Sequence, residues 1–166
     1  MTPTIGCPEA EAALIGCLLH LPAGRVVEIA RRMVGEDLVD PRNRVLLAAA
    51  AVVASQGLDP DPALVLGQVR RLGAESSFTA DRAAGTYLLD VYAAAGVPAS
   101  VEAYLNVVLE HSYRRRLAEV GVRLEQVAGT AALRELQELV DEQVALLRQA
   151  AARMHQRHPA PAQAVA

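Results

Sequence analysis

Apolar residues recur along this chain about three and four positions apart, in segments bounded by proline, aspartate and glycine. No segment alternates with period two, so the pattern predicts an all-α protein. Pro8, followed by the acidic Glu9 and Glu11 of a first turn, opens a helix that carries Leu14, Ile15, Leu18 and Leu19 to about His20. Pro22 and Gly24 break it, and a second helix is expected from about Gly24 to Val34. Asp40 before Pro41 caps a third helix, closed by Gly57 where a left-handed residue ends the last turn. Asp61 and Pro62 repeat the device for a fourth helix ending at Gly73. "ESSFTADRAAG" reads as a loop or short turn before a fifth helix, "TYLLDVYAAAG", stopped by Gly96.

Two longer periodic segments follow. Ser100 is expected to cap a helix running to Ala128, and Thr130 a second running to about His155, so the short link between them predicts an antiparallel helical hairpin. The apolar stripe of the first is Leu105, Leu109, Val120, Leu124 and Val127, with Ser112 and Arg116 on the same side. The second offers Leu133, Leu136, Val140, Val144 and Leu147. Folding the pair about Gly129 sets Arg116 near Asp141 and Glu142. Arg116 then reads as a polar register device within the seam, against the alternative of a solvated surface arginine. The stripes hold more apolar surface than one hairpin buries against itself, so they form a candidate interface holding two chains together. The expected organisation is a compact multi-helix head over 7–97, the hairpin over 98–155 and a disordered proline and alanine tail over 156–166.

Composition narrows the chemistry. A chain of 166 residues with 52% hydrophobic content suffices for one small domain. All 16 basic residues are arginine, set against 19 acids for a net charge of −3. Without a lysine there is neither a phosphate-binding P-loop nor Schiff-base chemistry. Cys7 and Cys17 stand about 15 Å apart if they share one helix, too far for a disulfide, and are read as a terminal residue and a small core filler. The opening residues do not resemble a signal peptide, and no run is long and apolar enough to span a bilayer, so a soluble cytoplasmic protein is expected.

Candidate sites outside the hairpin are weaker. His155 and His158 have a metal-compatible spacing but no cysteine or carboxylate cluster beside them. Glu110 and the adjacent His111 point about 100° apart on a helix, a poor acid and base pair. Tyr87 and Tyr92 are expected to pack in the head with their hydroxyls at its edge. The run Arg114, Arg115 and Arg116 fans over about 200° of helix and cannot present one face to a polyanion. Residues 97–166 also balance their arginines with an equal number of acids, which leaves little field to attract nucleic acid. No metal, cofactor or catalytic constellation is expected.

The order of four blocks adds a family reading. "PEAEAALIGCLL", "DLVDPRNRVLL", "GLDPDPALVLGQVRRLG" and "AAGTYLLDVYAAAGVPASVEAYLNVVLEHSYRRRLAEVG" together resemble the N-terminal domain of DnaB-type replicative helicases, over about residues 7 to 150. The resemblance rests on Glu9, Ala10, Glu11 and Gly16 in the first block. In the last it rests on Tyr87, Leu88, Pro98, Tyr104, Val108, Glu110, Arg114, Arg115 and Leu117. It implies a six-helix head and a hairpin that pairs between subunits to build a collar of dimers, where primase docks. An aromatic and a histidine frequent in the family's third-helix block are replaced by Leu38 and by Asn43 or Arg44. The RecA-like ATPase motor is absent from these residues, so a stand-alone module that is not an enzyme is expected.

Two function classes follow. The first is a replication-associated protein interaction module, a homodimer or part of a higher ring, that contacts primase or a replicative helicase. It would act as adaptor, competitor or collar, with Arg114 and Arg115 facing the partner and only weak or indirect DNA binding. The alternative is a helical DNA-binding regulator in which Arg42, Arg44, Arg70 and Arg71 face the duplex. The apolar "RVLLAAAAVVASQ" makes a poor recognition helix for it.

Overall fold

The structure is a computed structural model and describes residues 6–72 and 82–155. Among these residues it is all-α, without a strand: α1 (Pro8–Leu18), α2 (Ala23–Arg32), α3 (Pro41–Ser55), α4 (Pro62–Leu72), α5 (Arg82–Ala93), α6 (Val101–Ala128) and α7 (Leu133–His155). Two short 3-10 turns, Gly35–Asp37 and Pro98–Ser100, were not visible in the hydrophobic pattern because neither contains a repeat.

The expected caps hold at three places. Asp40 accepts from the Arg42 N–H at 2.8 Å, and Asp61 accepts from Ala63 at 2.7 Å and Leu64 at 3.1 Å. Gly57 ends α3 with φ of 79°, the left-handed conformation that a side chain resists. Elsewhere the boundaries move. Arg82–Gly85, expected in a loop, form the first turn of α5, with Ala84 buried and Gly85 close to Leu66 of α4. Small residues make that packing face, so the large apolar periodicity that marks a helix is missing there. Ser100 does not cap α6 with its side chain, because it ends a 3-10 turn with φ of −95° and ψ of 9° and lacks the extended backbone from which a capping hydroxyl reaches the first turn. Thr130 lies in a turn, and α7 begins at Leu133, where Glu135 reaches back to the Ala132 N–H at 3.4 Å.

α1 is central to the core. Leu14, Ile15, Cys17 and Leu18 are sealed from solvent between α3, α5 and α6. Gly16 is required by close approach, since a Cβ there would lie 2.4 Å from the Val91 carbonyl oxygen and 2.8 Å from Ala95 Cα of the α5 end. α2 is fastened at both ends. The Ala23 N–H donates to Asp59 Oδ1 at 2.8 Å from the α3–α4 connection, and Arg25 and Arg32 both reach Glu102 in the first turn of α6. The first half of α6 belongs to the same core: Val101, Leu105, Val108 and Leu109 are buried with α1. The hairpin of α6 and α7 therefore grows out of the head rather than following it. The sequence expectation of a tail over 156–166 lies outside the described residues.

Candidate interface on the helical hairpin

The hairpin emerges from the head at a buried carboxylate. Asp37 closes the first 3-10 turn by accepting the Val34 N–H on Oδ2 at 2.8 Å. The same carboxylate receives the Ser112 hydroxyl of α6 at 2.7 Å and a forked pair from Arg153 of α7, at 2.5 and 3.2 Å. Arg116 stands 3.7 Å from its Oδ1, and Arg115 donates to the carbonyls of Glu36 and Asp37 at 2.7 and 3.1 Å. No part of the Asp37 side chain meets solvent. Asp37 carries no signal of periodicity in "GED" and its partners lie far along the chain; what the sequence offers is an acid directly before the apolar Leu38 and Val39 that lead into a proline-led helix.

This geometry corrects the register expected for Arg116. It faces Asp37 of the head, not Asp141 or Glu142, both of which are exposed. Arg116 shares a groove with Gln143 of α7, and α7 is rotated so that Asp141 and Glu142 face away from it. Gln143, one step further on, turns inward, is buried, and lines a groove with Arg116, Glu119, Val120, Arg123, Leu146 and Leu147. Two further expectations change for the same reason. Leu105 and Leu109 are sealed in the head core, so they anchor α6 and present nothing outward. Arg115 is turned onto the head's 3-10 turn, while Arg114 stays exposed and pairs with Glu110 at 2.6 Å within its own helix.

The remaining stripe residues lie on the hairpin proper. Val120, Leu124 and Val127 of α6 and Leu136, Val144 and Leu147 of α7 are half-buried where the two helices pack. Val140 is 40% exposed and shares a shallow recess with Leu136, Gln137 and Asp141. Leu133, Leu117, Val122 and Leu146 are exposed as well. The hairpin thus carries an incompletely covered apolar surface in a segment that is otherwise charged, the pattern of a contact site rather than of a finished core.

The head holds a second polar cluster, closed upon itself. Glu11 is buried and accepts the N–H groups of Val39 at 2.8 Å and Asp40 at 3.2 Å, with Asn43 Nδ2 at 3.4 Å. The Tyr87 hydroxyl donates toward Asn43 at 2.9 Å and Asp40 at 3.2 Å, and the Arg42 guanidinium lies 3.9 Å from the Tyr87 ring centroid. The bond from Arg42 holds the Asp40 carboxyl below its ordinary range, with burial opposing. Burial, assisted by the Asp40 charge, pushes the Tyr87 hydroxyl up to about 12. Each carboxylate of the cluster is thus occupied, Glu11 by amide donors and Asp40 by Arg42 and the Tyr87 hydroxyl. Arg42 and Arg44 are likewise occupied, Arg44 by the Leu38 carbonyl at 2.8 Å, and Arg70 and Arg71 are exposed at the end of α4. The replaced family positions have become structural: Leu38 is core and Asn43 bridges Glu11 to Tyr87.

Other candidates are placed simply. Both cysteines are free, and burial raises the Cys17 thiol while a bond with the Gly96 backbone lowers it. Tyr92 packs on the core and stacks on His20 with ring centroids 4.1 Å apart. The side chains of His155 and His158 lie outside the described residues. Among the described residues no group of three metal-ligating side chains occurs, and no helix is long and apolar enough to cross a membrane.

Comparison with known proteins agrees with this architecture. Residues 7–110 match the DnaB-like helicase N terminal domain family. The chain is 32% identical over 142 residues to the replicative DNA helicase DnaB of Leifsonia xyli subsp. xyli (strain CTCB07), covering 84% of this chain and 29% of that protein. The fold is similar to the crystal structure of the N-terminal domain of DnaB helicase from Mycobacterium tuberculosis, with a TM-score of 0.73 and 20% identity, over 86% of this chain and 97% of that one.

Proposed function

Because the chain belongs to the DnaB-like helicase N-terminal domain family, we propose that it is a protein interaction module of the replication machinery that pairs with a second copy through its hairpin. The matched region is the N-terminal domain alone, and the chain spans 29% of the length of the curated helicase it matches. Unwinding and nucleotide hydrolysis are therefore not ascribed to it. The observation that carries the pairing is the uncovered apolar surface of the hairpin, where Leu133 is 73%, Leu146 44% and Val140 40% exposed. Fully burying an exposed aliphatic side chain is worth roughly 1.5 to 3 kcal/mol, so covering the exposed part of Val140 or Leu146 contributes roughly 1 kcal/mol each. A second hairpin laid antiparallel or side by side offers the same residues in return, as a two-fold interface requires. The partner beyond the dimer is a replicative helicase or primase surface, met by the exposed flank at Arg114. DNA binding is weak and salt-labile, because the hairpin's arginines are matched by acids.

Leu133→Arg tests the pairing cleanly, since the side chain is already 73% exposed and a charge there leaves the single chain's packing intact. Light scattering should give a dimer mass for the wild type at micromolar concentration and a monomer mass for the variant, with equal helical signal in circular dichroism. A monomeric wild type, or a variant of unchanged mass, refutes this interface. A parallel titration with the cognate helicase, the primase and a DNA duplex at near-physiological salt separates the readings of its partner. Tight duplex binding without a protein partner would overturn the module.

A further inference from the structure

The Asp37 cluster asks for more explanation than stability provides. A buried carboxylate surrounded by two guanidinium groups loses its hydration, and an apolar cluster of equal volume commonly holds such a position as well or better. What charge and directed hydrogen bonds add is a single permitted geometry. The Val34 bond, with the backbone bonds from Asp37 to Val34 and from Leu38 to Gly35, accounts for the local turn. Ser112, Arg116 and Arg153 come from 75 or more residues away, on both helices of the hairpin.

Their position in the fold is specific. Every buried residue of α6 lies at or before Ser112, and beyond it no residue of α6 is fully buried. Asp37 therefore sits at the level where the hairpin leaves the head. α7 runs along α6, and its last turn meets the head through the Arg153 fork and through Met154 against the core. One carboxylate thus fastens the middle of α6 and the end of α7 to one turn of the head.

We propose that Asp37 is a latch that sets the angle of the hairpin relative to the head, and that withdrawal of Arg153 opens it. The hairpin then turns about its root at Ser112, with Val101, Leu105, Val108 and Leu109 still holding the base of α6 in the core. The consequence for a dimer rests on the pairing proposed above: the angle fixes where two hairpins meet. The latch itself does not depend on that pairing.

From Ser112 to Ala128 the lever is about 24 Å long at the helical rise, so a turn of about 10° moves its end by about 4 Å. Nitroxide labels at the exposed positions Ala48→Cys on α3 and Gln126→Cys near the hairpin end, with Cys7 replaced by serine and the buried Cys17 retained, report this movement by pulsed dipolar spectroscopy. Dilution with unlabelled chain confines the distances to one molecule, so they read the latch whether or not the protein pairs. The wild type should give one narrow distance. Asp37→Asn and Arg153→Gln should each broaden or displace it by about 4 Å or more over that lever, while the exposed Arg148→Gln leaves it unchanged. If Asp37→Asn does not fold, Arg153→Gln decides alone, because it removes a group from the last turn without leaving the head. An unaltered distance in Arg153→Gln, even with a lowered melting temperature, would reduce Asp37 to a purely stabilising contact and overturn the latch.

Discussion

Two glycine substitutions in helices should change stability in opposite directions, and the structure says which is which. In free helix, glycine to alanine is worth about 1 kcal/mol in favour of the folded state. At Gly121 of α6 an added Cβ meets nothing, so Gly121→Ala should gain about that amount. At Gly16 the same methyl would stand 2.4 Å from the Val91 carbonyl oxygen and 2.8 Å from Ala95 Cα. Both obstacles are backbone, so relief requires α1 and α5 to separate rather than a side chain to rotate. Such overpacking costs about 1 to 3 kcal/mol, and two backbone clashes put Gly16 at the upper end, which leaves a net loss of roughly 2 kcal/mol after the helix gain. For a chain of this size that lowers the melting temperature by about 4 to 8 °C, whereas Gly121→Ala should raise it by about 2 to 4 °C. Differential scanning calorimetry of the two single variants measures both at once. A Gly16→Ala protein as stable as Gly121→Ala would show that α1 and α5 do not approach as described.

Other consequences follow from the head. Tyr87, held at about 12 against an ordinary 10, stays protonated in the folded chain while the unfolded chain ionises. Its contribution is therefore intact below pH 10 and lost between 10 and about 12, and ultraviolet titration should show one late phenol that Tyr87→Phe removes. Asp40 has the opposite sign: its lowered pKa stabilises the fold above the ordinary carboxyl value of 3.8 and is lost as pH falls through the folded value, so Asp40→Asn should flatten that part of the acid denaturation curve. Asp59→Ala removes the acceptor of the Ala23 N–H and should cost about 1 kcal/mol in urea denaturation, as a lost helix cap does, although Asp59 lies on a different connection from α2.

The cluster of Glu11, Asn43 and Tyr87 shows how a sequence feature that invites a functional reading serves structure. Glu11 belongs to the first block of the family resemblance, yet its carboxylate is spent on the N–H groups that enter α3 and on Asn43. Removing it would leave those half-buried donors unpaired, at a cost of about 1 kcal/mol for each. The pair formed by Gly16 and α5 is a second case, in which a residue chosen for its lack of a side chain permits the approach of two helices.

The sequence by itself determined the helical class, the order of the elements and most of their ends, because 3.6-residue periodicity and capping chemistry are local properties. Asp40, Asp61 and Gly57 act within a few residues of themselves, and the two long segments with a short link permit little but a hairpin. Only the tertiary structure decided which face each helix turns inward. Leu109 and Val127 are equivalent on a helical wheel, yet one is sealed in the head and the other lies half-buried on the hairpin, because the core ends between them. The rotation of α7 that buries Gln143 and exposes Asp141 is a property of how two helices interlock, to which their separate patterns are nearly indifferent. The pairing of Asp37 with Arg153 lies furthest from sequence, since it joins positions 116 residues apart whose attraction strengthens only once folding brings them together and removes the carboxylate from water.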